Sequence, residues 1–215
     1  MRADWRQLLV LPGFIVVLSV WVAITSGWSR TVAAFLLGAT MTLVLVGWMI
    51  GFDARSLRWR WGAVGEQWTA EELAKLEPQW SVYHDIPDGN GNWDHVAVGP
   101  AGVFAIDSKN VSQPATVDEE GLRSGRLRYR GGSTRGSAAR MKELIQQRTG
   151  LSVWVQGVVV VWGGLPGGIE ERDHVLYVPG GKLVGTLESR PRRLPDTTCV
   201  SVGAVLEASI TAAHT

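Results

Sequence analysis

Trp93-Asp94-His95-Val96-Ala97-Val98, Gly99-Pro100-Ala101-Gly102 and Val103-Phe104-Ala105-Ile106-Asp107-Ser108-Lys109 follow one another without a break in this 215-residue chain. Both arms are β-prone, and a Gly/Pro turn separates them. With the turn at Gly99–Gly102, Val98 sits opposite Val103, Val96 opposite Ala105 and Asp94 opposite Asp107. Strand side chains alternate, so Asp94, Asp107 and Lys109 share one face. Facing side chains have Cβ atoms roughly 5 Å apart, and like charges placed there destabilise a sheet. A cation between the two carboxylates removes that cost, so the spacing points to a divalent-metal site. Two plainer readings stand beside it. A one-residue change of register sends one acid to the other face. Alternatively, the hairpin is exposed and its acids are simply solvated.

A third acid lies upstream. Ala63 to Leu76 reads as a helix whose inward stripe is Ala63, Ala70, Leu73, Ala74 and Leu76. Glu66 falls near the middle of that stripe, whereas Glu71 and Glu72 read as surface charge. A carboxylate on a packed face is costly unless it is paired or binds a metal. The alternative is that Glu66 reaches solvent at the helix start and favours the dipole there.

The run Gly62-Ala63-Val64-Gly65-Glu66, taken with Asp94 to Asn110, resembles the nuclease-related domain (NERD) family. That family is placed within the PD-(D/E)xK restriction-endonuclease-like superfamily. The resemblance runs from about Gly62 to Asn110 and continues, weaker in motifs, to about Val178. It implies that Glu66 is the helix acid, Asp94 the metal-binding acid, and Asp107 with Lys109 the (D/E)xK pair. It also implies a restriction-endonuclease-like core, an α/β fold with a mixed sheet flanked by helices. Mg²⁺ (or Mn²⁺) is then expected on Asp94, Asp107 and the Ser108 carbonyl, with Glu66 holding a second ion or its water. Many relatives carry Glu where Asp107 stands. Relatives also often carry a glutamine near the start of the helix after the core strands. Here that region reads Ser133 to Met141 without one, and Gln146 and Gln147 come later.

A basic block follows the acids: Arg123, Arg126, Arg128, Arg130, Arg135, Arg140, Lys142 and Arg148, with only Glu143 among the last of them. Such a block can neutralise phosphates and supply sequence-independent affinity for nucleic acid. A solvated arginine-rich loop or a lipid-facing patch has the same composition. Net charge is +1, so overall charge selects no partner.

The N-terminal part is a different material. Leu8 to Thr25 and Thr31 to Gly51 are free of charge, each near the roughly 20 residues that cross a bilayer as a helix. Ser26 to Arg30 is a polar turn between them, and Trp28 and Trp48 stand near the ends, where indole prefers the interface. The expectation is a transmembrane hairpin over residues 1–52. Arg2, Arg6, Arg55, Arg58 and Arg60 flank it, against Arg30 alone in the loop, so both termini and the following domain are expected in the cytoplasm. A cleaved signal peptide is the alternative, but no small-residue cleavage site follows the first run. Residues 53–61 read as a basic juxtamembrane linker that could meet anionic lipid.

Residues 62–215, about 150 in number, suffice for one domain with one core. The strands expected are Trp80 to Ile86, the two arms quoted above, Leu151 to Trp162 as a buried central strand, and His174 to Val178. Ser137 to Arg148 is an amphipathic helix with Ala138, Met141, Leu144 and Ile145 inward, and Val202 to Ala213 closes the domain. Gly163 to Gly168 is turn chemistry rather than a phosphate loop, because no lysine with Ser/Thr closes it. Cys199 is the single cysteine, which fits a reducing compartment. His95 should point away from Asp94 and reads as a packing or surface histidine. The function expected is a membrane-anchored, metal-dependent nuclease acting on nucleic acid, with DNA the first choice. The competing expectation is a catalytically inactive membrane-tethered module that binds nucleic acid or protein.

Overall fold

The computed structural model describes Leu18, Trp21, Thr25, residues 30–88 and residues 91–213. Two compact units divide the chain, Met1–Trp59 and Arg60–Thr215.

Helix α1 runs Arg30–Leu73. Within the first unit, Phe35, Leu43, Leu45 and Trp48 are exposed on it. Among the described residues no helix is long and apolar enough to cross a membrane. The hairpin expected over 8–51 therefore has no support in the described residues, and most of its first span lies outside them. Residues 53–61, read above as a linker, lie within α1. The side chains of Arg55, Arg58 and Arg60 lie outside the described set.

The second unit is α/β. Strands β1 (Ser81–Pro87), β2 (Asn92–Gly99) and β3 (Gly102–Asn110) form an antiparallel meander. After β3 the chain builds a separate three-stranded sheet from β4 (Thr116–Val117), β5 (Gly121–Ser124) and β6 (Leu127–Arg130). Helix α2 (Gly131–Thr149) then carries the chain back to β7 (Val155–Trp162), which pairs parallel with β3. Strands β8 (Glu170–Arg172) and β9 (Val175–Pro179) complete the main sheet in the order β1-β2-β3-β7-β9-β8. A 3-10 turn, Gly180–Lys182, leads into α3 (Leu183–Glu188), and α4 (Asp196–Ala213) ends the described chain.

Alternation along the strands sorts the core onto two faces. Val96, Val98, Val103 and Ala105 pack under α2 and α4, against Ala138, Met141, Ile145, Val202 and Leu206. Ala97, Phe104, Ile106, Val158 and Val160 pack on the other face with Leu73 of α1 and Leu183 and Leu187 of α3. A third cluster joins Leu122 of the small sheet to Val159, Val161 and Tyr177. The β2–β3 turn is closed by Gly99 paired with Gly102. Gly99 has no alternative there, because a Cβ would lie 2.3 Å from the Trp80 ring.

Three expected boundaries change, one of them that of the closing helix, which begins at Asp196 rather than Val202. The central strand is shorter at its start than expected, since 151–154 are not extended into the sheet and Trp154 is half exposed. The helix after the small sheet begins at Gly131 rather than Ser137, which brings Ser133 and Thr134 into its first turns.

Candidate active site

The register of the hairpin is Val98↔Val103, Val96↔Ala105 and His95↔Ile106, and the pairing stops there. Asp94 and Asp107 are thus the first residues past the closed ladder. They lie on the α2 face, in step with Val96 and Ala105. Both line an open cleft of about 400 Å³ together with Lys109, Glu66, Tyr129 and Ser133. Where the ladder opens, the Ser108 N–H turns to the Asp94 carboxylate, with Oδ2 at 3.5 Å. The N–H and C=O of a strand residue face the same edge, so the Ser108 carbonyl belongs to that edge as well. Its side chain goes to the opposite face.

The two acids are held differently. Lys109 Nζ donates to Asp107 Oδ1, and the Tyr129 hydroxyl donates to Asp107 Oδ2. Among the described residues Asp94 has only the long Ser108 contact. Burial, then the Asp107 carboxylate, then that of Glu66 push its pKa up to about 7, while Lys109 and the Ser108 N–H act the other way. The cleft thus holds two carboxylates at one strand end, and Lys109 is bonded to Asp107 alone of the two. Such donors suit a hard divalent cation, which would bring the charge Asp94 lacks. Among the described residues no group of three or more His, Cys, Asp or Glu is gathered to hold a metal ion. The fit therefore rests on the aspartate pair.

Glu66 is exposed, contrary to the expected stripe. The inward residues of α1 are Gly65, Thr69 and Leu73, spaced by four, while Ala63 and Ala74 are exposed. The reason is a polar anchor that apolar patterning does not reveal. Thr69 Oγ1 donates to the Gly65 carbonyl at 2.9 Å and accepts from Ser108 Oγ at 2.7 Å and Trp162 Nε1 at 2.8 Å. That uses its full hydrogen-bonding capacity. Gly65 lies against Asn110, where a Cβ would come within 3.0 Å of the asparagine Cβ. The helix is thereby docked on the end of β3, and Glu66, one residue on, reaches the rim of the cleft.

His95 is buried on the face opposite Asp94. Its Nδ1 lies 2.7 Å from His84 Nδ1. Burial, then His84, lowers its pKa to about 4, so the ring is neutral near pH 7.

The basic residues do not act as one block. Arg123 is ion-paired with Asp118 and, at 3.6 Å, with Glu120. Arg135 is paired with Asp173, and Arg140 with Asp88 at 2.6 Å. Arg126, Arg128 and Arg130 are exposed on the small sheet, with no carboxylate partner among the described residues. Gln146 and Gln147 are exposed toward the far end of α2. The first turns of α2 offer the cleft Ser133, Thr134 and Ser137 instead.

Tyr129 was not singled out in the sequence. It stands in Leu127-Arg128-Tyr129-Arg130, where alternation turns it away from the flanking arginines. Its phenol bridges Asp107 and Thr134 Oγ1, the latter at 2.8 Å, and Lys109 Nζ lies 4.3 Å from its ring centroid.

A mixed sheet flanked by helices, with acids and a lysine at an opened strand end, is consistent with a nuclease-like core. Residues 61–162 match the model of the nuclease-related domain (NERD) family. That stretch contains Glu66, Asp94, Asp107, Lys109 and Tyr129, and ends with β7. No curated protein and no solved structure matches the chain.

Proposed function

We propose that the protein is a divalent-metal-dependent nuclease that hydrolyses phosphodiester bonds of nucleic acid, with DNA as the first substrate to test. The observation that carries this reading is the Asp94–Asp107 pair. The two share one face at the opened end of the β2–β3 ladder, with Lys109 beside them and inside the NERD-matching stretch. Asp94, Asp107 and the Ser108 carbonyl would hold Mg²⁺ or Mn²⁺. When bound, the cation supplies charge stabilisation at the phosphate and a more acidic water. Lys109, fixed between Asp107 and the Tyr129 ring, would orient that water and stabilise charge developing on the phosphate. Glu66 at the rim would hold a second cation or its water.

The test is incubation of the purified full-length chain with double-stranded and single-stranded DNA, and with RNA, at increasing Mg²⁺ or Mn²⁺. Metal-dependent cleavage is expected. Metal and nucleic-acid binding without cleavage would instead favour the inactive binding module, a reading supported by the serine and threonine side chains where relatives often carry glutamine.

For nucleic-acid contact, the exposed arginines of β6 and its turn are the best placed. Changing Arg126, Arg128 and Arg130 together to Gln should flatten the slope of log affinity against log salt by about 2–3, since each phosphate contact adds roughly 0.9. The loss should be equal for unrelated sequences. An unaltered slope would remove these residues from the interface. Arg123, Arg135 and Arg140 are less suited because carboxylates already hold them.

Attachment to a membrane through residues 8–51, with both termini in the cytoplasm, is proposed on the uncharged runs and flanking arginines of the sequence alone. A reporter fused after Thr215 should be cytoplasmic, and one inserted beside Trp28 should lie outside. A reporter after Thr215 found outside would separate the domain from intracellular nucleic acid and end this placement.

A further inference from the structure

We propose that Tyr129 is a positioning residue for the metal site, acting through Asp107. This rests on the reading of Asp94 and Asp107 as cation ligands. The phenol is built into the site from three sides. Its hydroxyl donates to Asp107 Oδ2. The same oxygen sits 2.8 Å from Thr134 Oγ1, so the first turns of α2 fix its direction. Its ring face carries Lys109 Nζ at 4.3 Å, and that amine in turn donates to Asp107 Oδ1. One side chain from the small sheet thus holds the carboxylate by its oxygen and the lysine by its ring.

The chemistry favours orientation over competition. A carboxylate oxygen has two lone pairs, so one hydrogen bond leaves Oδ2 able to ligate. A neutral donor on a ligating carboxylate restricts its rotation and presents the remaining lone pairs in one direction. Without the hydroxyl, the partner left to the Asp107 carboxylate among the described residues is Lys109, whose flexible stem defines no plane. Removing such an outer partner typically weakens metal binding by about 10–100-fold. Tyr129→Phe is the informative change because it keeps the ring under Lys109 and deletes only the donor.

The experiment is a Mn²⁺ titration of the full-length chain, followed by calorimetry, on wild type, Tyr129→Phe and Thr134→Val. Thermal unfolding without metal is recorded for each. Tyr129→Phe should bind Mn²⁺ about 10–100-fold more weakly, with a metal-free unfolding temperature close to wild type. Thr134→Val keeps the phenol but loosens its direction, so it should show a smaller loss of the same sign. Tighter binding in Tyr129→Phe would mean that the hydroxyl competes with the ion, and would overturn the proposal. So would unchanged affinity beside a lowered unfolding temperature, which would make the tyrosine merely structural. Both results would leave the metal site itself standing. Wild-type protein that binds no Mn²⁺ would overturn the metal reading and this proposal with it.

Discussion

Asp107→Asn should reduce metal-dependent cleavage of nucleic acid by on the order of 10²–10³-fold or more, the range seen when one preorganised electrostatic group is removed from a reacting centre. The substitution keeps the shape of the side chain, and the amide oxygen can still accept from Tyr129. What disappears is the negative charge that faces Asp94 and pairs with Lys109. The chain should stay folded, because the Asp107–Lys109 contact is partly exposed and such pairs contribute little to stability. The measurement is initial cleavage rate at saturating Mg²⁺ with circular dichroism as the fold control. Wild-type rates in this variant would place the chemistry elsewhere in the molecule.

Asp94→Asn should stabilise the metal-free protein at pH 8, by on the order of 2 kcal/mol. Burial and the carboxylates of Asp107 and Glu66 raise the folded pKa of Asp94 to about 7, with Lys109 and the Ser108 N–H opposing them. The unfolded chain has the ordinary value near 3.8. The folded state therefore holds the proton more tightly, and stability falls as pH rises from about 4 to about 7. Above that range the whole penalty is present. A shift of one unit corresponds to about 1.4 kcal/mol, and the figure above is reduced because the side chain is partly solvated. The advantage of Asp94→Asn should shrink as the pH is lowered toward 4. Adding Mg²⁺ at pH 8 should stabilise wild type and not the variant, because a ligand that binds only the folded state raises its stability. Urea denaturation across pH, with and without Mg²⁺, measures both effects. A variant less stable than wild type at pH 8 without metal would show that the Asp94 carboxylate is favourably partnered.

The hairpin was legible because its information is local. A two-residue turn between alternating arms sets the pairing, and once Val98 faces Val103 the facing of Asp94 and Asp107 follows. Helix α1 was legible as a helix but not in its orientation. Apolar spacing pointed to Ala63, Ala70, Leu73, Ala74 and Leu76; of these Leu73 is buried, on one line with Gly65 and Thr69. Alanine is small enough to sit on either side of a helix, and the deciding contacts are hydrogen bonds from Thr69 to residues distant in sequence. The small sheet was hidden because β4 to β6 are only two to four residues long. The arginines of that sheet and of α2 suggested a single basic surface. Ion pairing with Asp118, Asp173 and Asp88 divides them, and no composition count anticipates which arginine meets which acid. Tyr129 reaches the site because that sheet packs against Val159 and Val161 of β7.

The acids of the cleft and the tyrosine beside them differ in how the chain has to order itself to bring them together. Asp94 and Asp107 belong to neighbouring strands joined by a tight turn, an element of the kind that closes in about 1–10 μs. Tyr129 is 22 residues beyond Asp107, past three further connections. The strand that flanks β3 on its other side arrives only after the whole excursion through β4 to α2. Contacts of that separation pay loop-closure entropy first and form later. By loop closure alone, Asp94 and Asp107 meet at a lower entropic cost than the one at which Tyr129 joins them, and a cation bound at the hairpin would favour the pairing of β2 with β3.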